Sequence, residues 1–142
     1  MPSPEQPLGG RCACGAVRFE LTEPFLGAGY CHCERCRRRS GVPFTLNALI
    51  AAEAFELTAG ADLVETWVPG DGGRPKSFCG RCGGHVFGGD RGVGGTVVIR
   101  LGAVEGDPGI EPSWHAWVSA APDWYPIPAD GLERFAGNRP AP

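Results

Sequence analysis

The residues with chemistry to offer are seven cysteines in three short runs: Cys12 and Cys14 as C-x-C, Cys31, Cys33 and Cys36 as C-x-C-x-x-C, and Cys79 and Cys82 as C-x-x-C. No cysteine stands outside this pattern. Such spacings let a backbone turn aim two sulfurs at one ion, and the neighbouring Gly15, Gly80, Gly83 and Gly84 suit tight knuckles. The competing uses of a thiol are redox chemistry and core packing. The opening "MPSPEQPLGG" lacks the charged-then-apolar layout of a secretory signal, which predicts a cytoplasmic chain with reduced thiols. An odd cysteine count also leaves one thiol over from any complete set of internal disulfides. Metal binding is therefore expected, with zinc the ion that thiolates favour.

Seven ligands divide into four and three. Either Cys12 and Cys14 join Cys79 and Cys82, leaving Cys31, Cys33 and Cys36 as a local trio, or part of the trio joins the later pair and strands Cys12 and Cys14. The first division is preferred, because three thiols within six residues can share one ion. Its quartet would staple the chain, and its trio would leave a coordination position open, the layout of a reactive site.

The elements that must hold these sulfurs read as short strands. "GAVRFELT" (15–22) alternates Val17, Phe19 and Leu21 with Arg18 and Glu20, the period of a half-buried strand. "PFTLNALIA" and "GTVVIRLGAV" read as further strands, and "DLVETWVPGDGGRPKSFC" as strand, glycine-rich turn and strand leading into Cys79. "SWHAWVSA" reads as a strand with Trp114, Ala116 and Val118 on one side and His115 and Trp117 on the other. "AAEAFELTAG" opens as a helical turn, and no long amphipathic helix is visible. Glycine (23) and proline (14) make up about a quarter of the 142 residues, yet 42% are hydrophobic, too apolar for disorder. A loop-rich, mostly β single domain tied down by metal reconciles the two. Segment 1–9 is expected to be flexible, 10–136 to form the zinc-stapled domain and 137–142 to be a tail. The net charge of −3 argues against a general nucleic-acid or membrane-surface binder, and no apolar run reaches membrane-spanning length.

The segments "GRCACGAVRFEL" (10–21), "CHCERCRRRSG" (31–41), "FCGRCGGHVF" (78–87) and "SWHAWVSAAPDW" (113–124) resemble the glutathione-dependent formaldehyde-activating enzyme (GFA) family, which includes centromere protein V. The likeness runs from about Gly10 to Phe135. It implies a β-tent fold, a structural zinc on Cys12, Cys14, Cys79 and Cys82, and a second zinc on Cys31, Cys33 and Cys36. It also implies a carbon–sulfur lyase type of activity, joining glutathione to formaldehyde as S-hydroxymethylglutathione.

The residues themselves agree with that chemistry. Three thiolates give Zn2+ a formal charge of about −1, so such a centre acidifies water less than a histidine-ligated one and suits a further thiol held as thiolate. A thiol adding reversibly to a small aldehyde is the reaction this favours. His32, between two of the trio, is the candidate proton shuttle, while His85 and His115 are read as core or surface residues that could approach the open position. One or two of Arg37, Arg38 and Arg39, with Arg37 named first, are the candidates to offset the zinc–thiolate charge or grip the carboxylates of a peptide-like thiol; the bland alternative is a solvated basic loop. Ser40 has no visible base. The glycine runs lack the strand–turn–helix setting of a phosphate cradle and read as turns. Trp67, Trp114, Trp117 and Trp124 read first as core, with a pocket wall the alternative for one of them, and Trp124, Tyr125 and Phe135 of the tail as available to pack back. The competing functional class is a non-catalytic zinc-binding interaction module of the same fold.

Overall fold

Short apolar stretches broken by glycine and proline give eleven strands and one helix among the residues that the computed structural model describes, 1–89 and 95–140. In chain order they are β1 (Leu8–Arg11), β2 (Arg18–Leu21), β3 (Gly27–Cys31), α1 (Glu34–Ser40), β4 (Thr45–Ala51), β5 (Phe55–Ala59), β6 (Val64–Trp67), β7 (Lys76–Cys79), β8 (His85–Gly89), β9 (Thr96–Arg100), β10 (Trp114–Ala116) and β11 (Glu133–Arg134). The chain is mostly β, as its composition and alternation require. A three-stranded sheet has the order β1-β2-β5, and an eight-stranded sheet has the order β11-β10-β3-β4-β9-β8-β7-β6. Pairing is antiparallel except where β10 runs parallel to β3 and β11.

The core lies where the two sheets face each other. Val17 and, from β2, Phe19 and Leu21 are fully buried, and they meet Phe55, Ile50, Val86, Val97 and Ile99 from β5, β4, β8 and β9. Each such side chain contributes about 1.5–3 kcal/mol of burial. The alternation in β2 is the expected one, and β9, expected as a strand, also buries every second residue. Cys12 and Cys79 belong to the same cluster, so the sulfur quartet is anchored in the core itself.

Several local expectations need correction. Residues 55–59 of "AAEAFELTAG" form strand β5, and only 52–54 make a single helical turn, because Phe55 is drawn into the core beside Phe19 (ring centroids 5.5 Å apart). The segment 1–9 contributes its last two residues to β1. Strand β10 stops at Ala116, and all three of its residues are buried because the tail covers it. At Trp117 the backbone enters the left-handed region (φ 57°, ψ 40°), and Val118 lies in a helical turn rather than on a strand face. Of the four tryptophans only Trp114 is core. Trp67 sits on the edge strand β6, Trp117 on the left-handed corner, and Trp124 is 69% exposed in the tail. Tyr125 does pack back, onto Phe44. The run "GDGGRPK" is a turn between β6 and β7; residues 90–94 of "GGDRGVGG" and the tail's last two lie outside the described residues.

Trp114 is seated where β3 has no side chain. A Cβ on Gly29 would come within 2.2 Å of the Trp114 indole, whereas one on Gly9 would meet nothing within 4 Å. Gly29→Ala is thus expected to lower stability by about 1–3 kcal/mol through overpacking, with Gly9→Ala within about 0.5 kcal/mol of the parent, as read by urea unfolding of the metal-loaded protein. Equal unfolding midpoints for the two variants would remove the close-approach account.

Candidate functional site

The first cysteine cluster is assembled from two knuckles. Cys12 follows β1, where its N–H meets the Val17 carbonyl at 3.0 Å, and Cys79 ends β7, where the Gly83 N–H returns to its carbonyl at 2.7 Å. Gly83 adopts φ 76°, the left-handed turn that lets Cys82 swing back beside Cys79. The sulfurs of Cys12, Cys14, Cys79 and Cys82 lie within 4.8 Å of one another. Cys12 and Cys14 are 3.6 Å apart and Cys14 and Cys79 are 3.9 Å apart. Neither is a disulfide, which needs about 2.05 Å. Both match the spacing of about 3.8 Å between thiolates on a tetrahedral ion with metal–sulfur bonds of about 2.3 Å. Backbone N–H groups of Val17, Arg81 and Gly84 donate to Cys12, Cys79 and Cys82, which favours the thiolate form. Burial opposes charge on Cys12, yet the Val17 N–H and the neighbouring thiols outweigh it and bring this thiol down to about 6.

The second cluster is local. Cys31 ends β3, and Cys33 is the N-cap of α1, its sulfur accepting the Cys36 N–H at 3.3 Å. Glu34 in the first turn and Arg37, Arg38 and Arg39 in the last complement the helix dipole, and Gly41 closes the helix by donating to the Arg37 carbonyl at 2.8 Å. The stretch is therefore a seven-residue helix and not a basic loop. The sulfurs of Cys31, Cys33 and Cys36 lie within 4.8 Å of one another, and no further His, Cys, Asp or Glu among the described residues completes the group. Hydrogen bonds from Cys31 and Cys33 hold the Cys36 thiol far below the usual range, and the reciprocal contacts push Cys31 up. Clustered sulfurs alone share one negative charge; holding three takes a cation among them. Both donor sets thus suit a thiophilic divalent ion.

The trio forms the floor of a cavity of about 340 Å3. Its other walls bring Arg39 from α1, Lys76 from β7, His85 from β8 and Arg100 from β9 around the sulfurs, with Trp117 at the edge. Arg39, not Arg37, is the member of the arginine run that lines it, while Arg38 pairs with Glu34 at 2.7 Å on the surface. His85 does reach this cavity. Burial, then Arg39 and Arg100, drive its pKa down to about 4, so it is neutral and its Nδ1 accepts the Arg100 Nε–H at 3.4 Å. Lys76 and Arg100 carried no visible motif and were missed in the sequence.

His32 points elsewhere. It is 1% exposed, and its Nε2 lies 2.9 Å from Nδ1 of His115, whose Nε2 lies 2.8 Å from an Asp130 carboxylate oxygen. Tyr30 stacks on His115 at 4.9 Å, and Phe44 flanks His32. The proton placement follows from the end of this chain. Asp130 accepts only, so His115 carries its proton on Nε2 and offers Nδ1 as acceptor; His32 must then donate from Nε2. Burial and His115 lower the His32 pKa, so its Nδ1 is a bare lone pair, and that atom is buried without a partner. His115 therefore supports His32 and does not approach the trio's open position directly.

A family-wide sequence model described as "Glutathione-dependent formaldehyde-activating enzyme" matches residues 7–120. Among solved structures, the chain is similar to a crystal structure of a Rhodobacter sphaeroides protein, at 27% sequence identity and a TM-score of 0.57, over 70% of this chain and 89% of that one.

In 15N-labelled, metal-loaded protein at neutral pH, both His115 and His32 are expected as Nε2–H tautomers in long-range 15N–1H spectra. Asp130→Asn supplies an amide donor that lets the chain reverse and places the His32 proton on Nδ1 in part of the population. A parent His32 protonated on Nδ1, or a variant spectrum with no change, contradicts the assignment.

Proposed function

Because the chain belongs to the glutathione-dependent formaldehyde-activating enzyme family, we propose that it is a zinc-dependent enzyme of the carbon–sulfur lyase type, acting on adducts of a glutathione-like thiol with a small aldehyde such as formaldehyde. The observation that carries the reading is the three-sulfur group at the floor of a cavity with no fourth ligand among the described residues. Two ions are assigned: one on Cys12, Cys14, Cys79 and Cys82 as a scaffold, and one on Cys31, Cys33 and Cys36 at the reaction site.

In the reaction the S–H of the thiol adds across the carbonyl. A carbon–sulfur bond forms, the carbon–oxygen π bond opens, and the thiol proton ends on oxygen; the reverse releases both partners. Zinc, when bound, supplies the charge that keeps the incoming sulfur deprotonated and oriented. The chain's own residues do the rest. Cys33 and Cys36 are set by the start of α1, and Cys31 by its β4 partner Thr45. Arg39 and Arg100 offset the anionic sulfurs; Arg37 is withdrawn from that role in favour of Arg39. His32 is assigned to fixing the loop that bears Cys31 and Cys33, through its N–H to the Ala116 carbonyl at 3.0 Å and its ring to His115. Free thiols support residence in a reducing compartment such as the cytoplasm. No helix among the described residues is long and apolar enough to cross a membrane.

Cys33→Ala is expected to lose one ion per chain and thiol–aldehyde adduct formation while retaining most of the melting temperature. Cys79→Ala removes a fully buried ligand from the scaffold and is expected to leave little folded protein. Zinc analysis, calorimetry and NMR detection of the adduct read these outcomes. Undiminished adduct formation by Cys33→Ala points instead to a binding module without catalysis.

A further inference from the structure

The position left open at the Cys31, Cys33 and Cys36 sulfurs is assigned to the thiol, so the oxygen of the carbonyl partner has to be received by the chain itself. That oxygen gains negative charge as the carbon–sulfur bond forms, and a hydrogen-bond donor already in place lowers the barrier. The cations around the cavity are committed elsewhere. Arg35 pairs with Asp71, Arg74 reaches the Thr96 carbonyl at 3.5 Å, and Arg100 donates to Asn47 and His85. Arg39 and Lys76 both feel the charge of Cys36, which draws them toward the sulfurs. Of the uncharged side chains, Asn47 gives an amide proton to Thr45, Ser77 is joined to Thr66 at 2.9 Å, and Trp117 gives its indole N–H to Asn138.

His85 differs from all of these. It opens β8 with its ring half-buried in the cavity wall. Asn47 Oδ1 accepts from Arg100, which leaves the Arg100 Nε–H to meet His85 Nδ1 at 3.4 Å. A guanidinium can only donate, so Nδ1 is the acceptor and the single ring proton of the imidazole sits on Nε2. Burial, then Arg39 and Arg100, keep the ring neutral against the opposing pull of Cys36. The Nε2–H has no acceptor among the described residues. A neutral donor of this kind suits a carbonyl oxygen: its hydrogen bond strengthens as charge grows there, and it does not compete with the cations for the sulfurs.

We propose that His85 is a catalytic residue, its neutral Nε2–H donating to the oxygen of the carbonyl substrate beside the Cys31, Cys33 and Cys36 sulfurs, with Arg100 and Asn47 as the positioning residues that fix the tautomer. The proposal rests on the thiol–aldehyde reading of this cavity. In the step itself a sulfur lone pair forms the carbon–sulfur bond and the carbonyl π pair moves onto oxygen. His85 steadies that charge without giving up its proton, and the proton shed by the thiol returns to the oxygen through water. Loss of the adduct runs the same steps backwards.

The test uses the full-length, zinc-loaded, 15N-labelled protein with 2-mercaptoethanol and formaldehyde. At neutral pH the parent is expected to show His85 protonated on Nε2, and that N–H is expected to shift downfield as formamide, a carbonyl compound inert to thiols, is titrated in. His85→Leu is expected to keep both ions and the KM for the thiol while kcat for adduct formation falls about a hundredfold, the usual cost of removing one donor to a developing oxyanion. His85→Gln, whose amide can place a donor near the Nε2 position, is expected to recover a large part of that loss. A proton on Nδ1 in the parent, or a kcat for His85→Leu within about threefold of the parent, overturns the proposal and leaves the enzyme reading standing. Loss of an ion or of thiol affinity in His85→Leu, with no recovery in His85→Gln, also overturns it, because the ring would then be structural. A parent that forms no adduct refutes the enzyme reading instead; the formamide titration then decides, a shifted Nε2–H keeping the carbonyl-oxygen site and an unmoved one overturning it.

Discussion

Everything in this molecule depends on sulfur atoms being brought to within about 4 Å of each other from segments far apart in the chain. Cys14 and Cys79 are 3.9 Å apart in space and sixty-five residues apart in sequence. A domain of this length with strands this short has limited apolar area to set against chain entropy, and a metal clip held across so long a loop would offset part of that cost. Because Cys12 and Cys79 are also core residues, the clip fixes β1 and β7 to the sheet interface and with them the relative position of the two sheets. The trio hangs from this frame at the end of β3, and Cys31 inherits its position from pairing with β4 and β10.

The division into a scaffold cluster and an open cluster has an electrostatic side. The quartet accepts backbone N–H donors at three of its sulfurs, which spread charge, and its four sulfurs suffice for a tetrahedral ion. The trio is instead faced by side-chain cations on separate strands. The same ligand chemistry is thereby closed in one place and accessible in the other.

The cysteine spacing made the site legible in the sequence, since knuckles are local and their residue types are rare. Strands β2, β4 and β9 were legible because their signals are also local: alternation in β2, an apolar stretch in β4 and a β-branched run bounded by glycines in β9. What could not be read was whatever depends on distant neighbours. Helix α1 begins at a cysteine N-cap, outside the usual Ser, Thr, Asp and Asn set, and its arginine run looked like a solvated loop. Arg74, Lys76 and Arg100 converge only through the β9-β8-β7 order. The His32–His115–Asp130 chain joins three segments whose polar residues, taken singly, were indistinguishable from ordinary surface or core positions. Trp124 showed the opposite failure, an aromatic that hydrophobicity assigned to the core and the fold left in water.

Trp117 is the one non-glycine residue with positive φ among those described, and it lines the cavity over Cys31, Cys33 and Cys36. Its amide is held by the Gly137 carbonyl at 2.9 Å and its indole by Asn138 at 2.8 Å, and these bonds must outweigh a backbone penalty of about 1–2 kcal/mol. Part of the wall beside the trio therefore rests on a torsion that glycine or asparagine would adopt at far lower cost. A substitution at this corner would reshape that wall without touching a single cysteine, which separates the contour of the site from its sulfur set.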